Sequence, residues 1–306
     1  MTYPQRHITA GDITPLTYIT ENTYGTPASV APVHYADIAE GGKFTPTDSA
    51  NPYVAYRYGD RSYDPSTYVT QQADAGFSAV LEVRDAGNWS KILDFAAGTG
   101  GTSPYGSLPS RTEQVHVRTG GSPTWQGLRY VGCKTDTLTV KADAPGGIVK
   151  FEETVMASYM EANNISTPLV WLTTGAAVQW MNGITVDGNE IYPQSFSMTI
   201  TNGLQRAYQP RSGGAITGAL LEGRREITFE TEVWMEDLAN LRASIANGSP
   251  GDIVFKLGII NPQQLTLSGV RWMADSNHTD LIQDKQRETL RFRASSLAIE
   301  TVAPEE

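Results

Sequence analysis

The sequence predicts a mainly β protein in which the order strand–helix–strand–strand–strand occurs twice. Three observations predict it. Thr, Val, Ile, Tyr and Trp recur in short alternating runs, punctuated by Gly, Pro, Asn and Asp. Two stretches carry helical spacing, and each follows an alternating run. The 306 residues are 40% hydrophobic and 18% charged, the balance of a folded chain with room for one large domain or two ordinary ones.

The first series opens at Phe77, where FSAVLEV puts Phe77, Ala79, Leu81 and Val83 on one face and Ser78, Glu82 and Arg84 among those opposite. That is the pattern of a half-buried strand. In DAGNWSKILDFAAG, Trp89, Ile92, Leu93 and Ala96 then fall at helical spacing. Asp85 or Asn88 is placed to cap this helix, and Gly98 to stop it. Strands are expected at residues 113–118, 138–141 and 148–156, with the turn sequence APGG between the last two.

The second series repeats this order. REITFETEVWM forms a strand with Ile227, Phe229 and Val233 on one face, and EDLANLRASIANG a short helix with Leu238, Leu241 and Ile245 inward. Strands are expected at 252–257, 265–273 and 289–294. Phe77 matches Ile227, Val83 matches Val233, and the spacing of Trp89, Ile92 and Ala96 matches that of Leu238, Leu241 and Ile245. The pattern divides the chain into an arm at 1–50, one half at 51–165 and a second at 166–306, with a linker near 160–168. Three stretches read as irregular: the Pro/Thr/Gly-rich arm, residues 51–76 with Tyr53, Tyr56, Tyr58, Tyr63 and Tyr68, and a long loop at 205–222. All three are too apolar and aromatic for plain linkers.

Composition excludes several function classes. With 23 Lys+Arg against 33 Asp+Glu the net charge is −10, which repels phosphate and opposes nucleic-acid binding by counterion release. It leaves open a protein past which DNA slides. No apolar run approaches the roughly 18 residues of a membrane-spanning helix. The N-terminus lacks a signal-peptide pattern, so synthesis in the cytosol and no membrane binding are expected. A single cysteine, Cys133, rules out an intramolecular disulfide and a Cys-based zinc site, and reads as a small buried thiol.

The search for catalytic chemistry finds no constellation. His7, His34, His116 and His278 are far apart in sequence and fit no metal-ligand spacing, and His116 reads as solvent-facing on its strand. The glycine-rich stretch from Gly98 follows a predicted helix instead of preceding one and lacks a Walker lysine. Glu152 and Glu153 point to opposite faces of a strand, and Glu236-Asp237 suits a helix start. Asp136 and Asp143 match no calcium loop. No enzyme, cofactor or metal is expected.

Four stretches, in order, resemble a known family. TPLTYITENTYGT (14–26) is similar to the opening strand of tail tube proteins of tailed viruses, and LRYVGCKTDTLTVKADAPGGIVKFEETVMA (128–157) to their double strand around G-C-K and G-G. SFSMTITNGLQR (195–206) resembles their S-F-S strand, and REITFETEVWMEDLANL (225–241) the strand, acidic turn and helix that follow. The resemblance implies a β-sandwich with a flanking short helix, here duplicated in tandem. Such subunits join edge to edge into a ring lined by a β-barrel, and rings stack into a hollow virion tail tube for genome ejection. Implied partners are other copies of the chain, the tail terminator, tape-measure and baseplate proteins, and DNA in transit. The arm and the 205–222 loop would supply contacts between subunits or rings, through Tyr18, Tyr24, Tyr208, Gln209, Arg211, Leu220 and Leu221. Two such domains per chain favour a trimeric, pseudo-hexameric ring over the family's usual hexamer, although residues 27–76 show no clear counterpart of 195–204. Two alternatives stand beside this reading: a terminal or baseplate ring protein of the same fold, and a carbohydrate-binding β-sandwich module using Trp125, Trp171, Trp180 and the tyrosines. Packing is the simpler account of those aromatics.

Overall fold

In a computed structural model, the described residues are 15–27, 30–38, 44–54, 68–85, 89–98, 108–118, 125–162, 177–211, 214–234, 251–260, 262–273, 279–282 and 285–303. The first half of the chain forms β1 (Pro15–Thr20), β2 (Val33–Ile38), β3 (Thr45–Val54), β4 (Tyr68–Glu82), α1 (Lys91–Ala97), β5 (Arg111–Arg118), β6 (Trp125–Ala142), β7 (Lys150–Ala157) and β8 (Tyr159–Ala162). Six of these strands close a cycle of antiparallel pairs, β1–β5–β6–β7–β4–β2 and back to β1. The cycle is thinnest between β2 and β4, where two residue pairs, Asp37–Glu82 and Ile38–Leu81, complete it. Helix α1 sends Ile92, Leu93, Phe95 and Ala96 into the same core.

The second half contributes β9 (Trp180–Val186), β10 (Asn189–Ile191), β11 (Ser195–Thr201), β12 (Gln205–Arg211), β13 (Gly214–Leu221), β14 (Glu226–Trp234), β15 (Gly251–Leu257), β16 (Gln263–Trp272), β17 (Thr279–Ile282), β18 (Lys285–Ala294) and β19 (Ser296–Thr301). Strands β11, β14, β18 and β17 form one layer. Strands β10, β9, β15, β16 and β19 form the other, and β16 crosses at its end to pair with β18. The β9–β10 turn is Asp187-Gly188 with φ of 49° and 79°, the doubly positive turn that Asp-Gly favours in a two-residue hairpin.

Long β6 unites the halves because its two ends have different partners. Its first part pairs with β5 and β8, and its second with β7 and β11. Strand alternation carries through this shared sheet. Leu81, Phe151, Val140, Met198, Phe229 and Phe292 fall in one row across β4, β7, β6, β11, β14 and β18, and all are buried. Each such side chain taken out of water contributes about 1.5–3 kcal/mol.

The cores differ in chemistry. Inside the first half, the fully buried Arg111 donates from Nη2 to Glu153 Oε1 at 2.6 Å, from Nη1 to Thr135 Oγ1 at 3.0 Å and from Nε to Glu113. Its guanidinium also sits 4.3 Å from the centroid of Phe95. The second half instead packs rings: Trp180 on Phe196 at 5.0 Å between centroids, Phe196 on Phe255 at 5.3 Å, Phe229 on Phe255 at 5.5 Å and Trp272 on Phe292 at 5.7 Å.

Several expectations are corrected. The stretch at 205–222 is a β-hairpin, β12 on β13, not an irregular loop. The supposed arm supplies β1, β2 and the start of β3 to the sheet, while residues 1–14 lie outside the described set. The described parts of the tyrosine-rich stretch, 51–54 and 68–76, belong to β3 and β4, with Tyr53 opposite Val69; Tyr56, Tyr58 and Tyr63 lie outside the described residues. Asp85 does not cap α1, which begins after Ser90 with no side-chain cap; its carboxylate accepts the Ile260 N–H at 2.8 Å and that of Ile259. Gly98 does end the helix, its N–H reaching Asp94 O at 2.8 Å. Asn88 and the second expected helix (Glu236-Asp237, Leu238, Leu241 and Ile245) lie outside the described residues.

Candidate assembly surfaces

Three surfaces are built by this fold: a solvated sheet face, a hairpin laid across the two halves, and two strand edges. The sheet face is the reverse of the apolar row. One line runs Val80, Glu152, Thr139, Thr199, Thr228 and Arg293, and the next Glu82, Lys150, Lys141, Ser197, Glu230 and Arg291. Hydroxyls bond directly across strands, Ser78 Oγ to Thr154 Oγ1 and Thr139 Oγ1 to Thr199 Oγ1, both at 3.0 Å. Every lysine and arginine in these two lines has a nearby acid. Lys141 pairs with Glu152, Lys150 with Asp143 at 3.5 Å, Arg291 with Glu230 at 2.8 Å and Arg293 with Glu226 at 3.1 Å. Such exposed pairs add about 0–1 kcal/mol each, so their main effect is on the field the face presents.

The hairpin extends from the second half onto the first. Arg206 donates to Ala75 O at 2.7 Å and to Ala157 O at 2.8 Å, Tyr208 Oη to Asp74 Oδ1 at 2.7 Å, and Ser158 Oγ donates to Thr217 O. Leu220 is buried with Leu108 and Leu204 against Tyr24 and Met156. At the hairpin base Glu222 accepts from Leu108 N at 2.9 Å and from Lys134 Nζ at 2.7 Å. Nearby, Asn202 donates to Ala96 O at 2.9 Å and Arg225 to Ala97 O at 2.9 Å. Residues flanking β11 and β14 thus satisfy two of the orphan carbonyls at the end of α1.

The seven residues expected at contacts fall in different places. Tyr18 is in the chain's own core, edge-on to Phe95 at 5.2 Å between centroids. Tyr24 and Leu220 come together in the small cluster under the hairpin. Tyr208, Gln209 and Leu221 are exposed on the hairpin. Arg211 ends β12, and its side chain lies outside the described residues.

The family resemblance implies joining edges but does not say which strands form them. Strand β3 pairs with β4 alone and β17 with β18 alone among the described residues. Two prolines, Pro46 and Pro52, mark β3 as an edge and are its one clear signal.

The remaining candidates resolve as structure. Cys133 is buried, and burial pushes its thiol well up. His34 is buried with Nε2 3.1 Å from Asp37 Oδ1. Asp136 accepts the Leu204 N–H at 2.8 Å, and no group of three or more metal-ligating residues occurs among the described residues. Trp180 belongs to the ring cluster of the core, so it forms no sugar platform. Trp171 and the side chains of Trp125 and His116 lie outside the described residues.

A search of curated proteins finds no match. A family model described as phage tail tube protein matches residues 11–294, nearly the whole chain and every strand from β1 to β18. With its mainly β fold, its solvated sheet face and this match, the chain belongs to the phage tail tube protein family, whose members are structural components of the virion tail.

Proposed function

We propose that copies of this chain close edge to edge into rings, that the rings stack into a hollow tube, and that genome DNA passes through the bore. The face spanning β4, β7, β6, β11, β14 and β18 is assigned to the bore. The observation that carries this reading is the charge arrangement on that face: hydroxyls stand among the charged residues of the rows, and each cation in them is held by an acid. A duplex in transit would meet donors and acceptors but few free cations to neutralise its phosphates, so it would not stick. Two halves per chain give six units from three chains, and the ring is read as a trimer. In the tail, the tube would meet terminator, tape-measure and baseplate proteins at its ends and interior.

Electron microscopy of the purified chain tests this. Hollow tubes with threefold or near-sixfold end-on symmetry are expected. Single rings that never stack would favour the terminal or baseplate ring reading, and monomers at every salt concentration would overturn the tube.

A further inference from the structure

Strand registers in the two halves fall into matching series. Thr45 faces Ser78 across β3–β4, and Ser197 faces Glu230 across β11–β14. Further along, Tyr53 faces Val69 and Val54 faces Tyr68 across β3–β4, just as Gln205 faces Leu221 and Arg206 faces Leu220 across β12–β13. On the other side, Phe77 faces Val155 and Lys134 faces Met156, as Phe229 faces Phe292 and Arg271 faces Arg293. The register shift between Arg111 and Glu113 on β5 recurs between Gly251 and Ile253 on β15.

One irregularity is reproduced in detail. Gly132 of β6 has φ 69°, and an added Cβ would lie 2.9 Å from Ser158 Cβ; the Ser158 N–H reaches Val131 O at 2.8 Å. Gly269 of β16 has φ 63°, and an added Cβ would lie 2.1 Å from Ser295 Oγ; the Ser295 N–H reaches Ser268 O at 3.0 Å. In both halves this is where one strand bends into the next, β7 into β8 and β18 into β19. A left-handed glycine bulge crossed by a serine is a specific device, and chance does not place it at the same point of two registers.

We infer that the two halves are copies of one unit, and that the junction joining them within the chain is repeated between chains, the free edge of β3 in one copy pairing with Met273 and β17 of the next. This rests on the ring reading above. Within the chain, β11 of the second unit completes the sheet by pairing with β6 of the first, Ser197 opposite Lys141 and Thr201 opposite Thr137. The register series place Thr45 at the position of Ser197 and Ser49 at that of Thr201. They also place Asp280 at the position of Lys141, since Lys141 faces Lys150 and Asp280 faces Arg287. Met273, whose N–H reaches Arg291 O at 3.0 Å, stands where Thr137 faces Thr154. The seam between chains is therefore antiparallel, with Thr45 opposite Asp280 and Ser49 opposite Met273. Strand β3 pairs with β4 alone and β17 with β18 alone among the described residues, and Thr45, Pro46 and Thr47 are exposed. Pro46 brings no N–H, which keeps β3 from pairing indiscriminately before a matching edge arrives.

The hairpins follow the same rule. In the chain, β12–β13 crosses the junction to reach the backbone at Ala75 and Ala157. The outer part of the β3–β4 hairpin is its counterpart, and in a ring it crosses the seam toward Ile227 and Ala294 of the neighbouring copy.

Cysteine pairs in the full chain test the seam. Thr45→Cys with Asp280→Cys spans it, and Ser197→Cys with Lys141→Cys spans the internal junction as a control. Cys133 is buried and does not compete. Assembled tubes held under a mild oxidant should give a covalent ladder on a denaturing gel, ending at the number of chains in a ring, while the control pair closes within the monomer. Tubes in which the control closes and the seam pair stays monomeric would overturn the seam and leave the tube intact. Absence of tubes from the unmodified chain would overturn the ring reading itself. Should the seam variant fail to assemble, amide exchange on the unmodified chain decides. Residues 45–49 and 279–282 should exchange more slowly in tubes than in monomers, and equal exchange would overturn the seam.

Discussion

On the proposed match, the two halves share one strand plan and have opposite interiors. At the positions of Arg111, Thr135 and Glu153 in the first unit, the second carries Gly251, Trp272 and Leu290, and Ile253 stands in place of Glu113. One core is fixed by a guanidinium shared between two carboxyls, the other by ring-on-ring packing. The difference teaches that pairing, not core chemistry, specifies this fold. A buried charge network needs every partner in place, whereas apolar packing degrades gradually when an atom is lost.

The largest effects should come from breaking each core at its centre. Arg111→Met leaves Glu113 and Glu153 buried without their cation and should cost about 3–5 kcal/mol by denaturant unfolding. Phe229→Ala, opening a cavity among Phe196, Phe255 and Phe292, should cost about 3–5 kcal/mol as well. The sharper comparison converts one interior into the other. Arg111→Met, Glu113→Leu and Glu153→Leu together should be neutral or stabilising by about 1–4 kcal/mol, because the desolvation of the buried ionisable groups is removed with them. A triple variant as unstable as Arg111→Met alone would show that the first core depends on its charges for shape.

A smaller, pH-dependent effect belongs to the first unit alone. Burial pushes the Glu113 carboxyl from its ordinary 4.5 up to about 8, with Arg111 opposing and Glu153 adding to the shift. Between those values the folded chain keeps a proton that the unfolded chain releases. This contribution to stability is therefore fully present in acid and lost as pH rises from about 4.5 to about 8. The triple variant should lack this slope when unfolding midpoints are compared across that range. The smallest effect is expected at the hairpin, where Tyr208→Phe removes one exposed bond to Asp74 and should cost about 0.5–1 kcal/mol or less.

Legibility in the sequence followed where burial is regular. SFSMTIT alternates without a break and β11 is half-buried throughout, so strand and faces were both readable. The helix at Lys91–Ala97 was readable from its apolar spacing and Gly98. Strand β3, TPTDSANPYV, was not, because it has two prolines and little apolar alternation and owes its form to β4. The sequence pattern sets Phe77 against Ile227, whereas the proposed register match sets Phe77 against Phe229. A slip of two keeps every side chain on its face, so alternation alone cannot detect it. Nothing in the sequence marks Arg111 and Glu113 as buried, since a buried ion network and a solvated edge have the same spacing. The hairpin at 205–221 was hidden by its three glycines and Pro210, and the seam by being a relation between strands far apart in the chain.

Strand β6 has a mechanical consequence. Because it belongs to both units, the covalent chain and a continuous hydrogen-bonded ladder cross the same internal boundary. That boundary cannot hinge or peel without tearing the sheet from within. A tube strained by internal pressure would then have joints of two kinds in alternation around its circumference, both hydrogen-bonded but covalently backed within each chain alone, and it would fracture lengthwise along every second one.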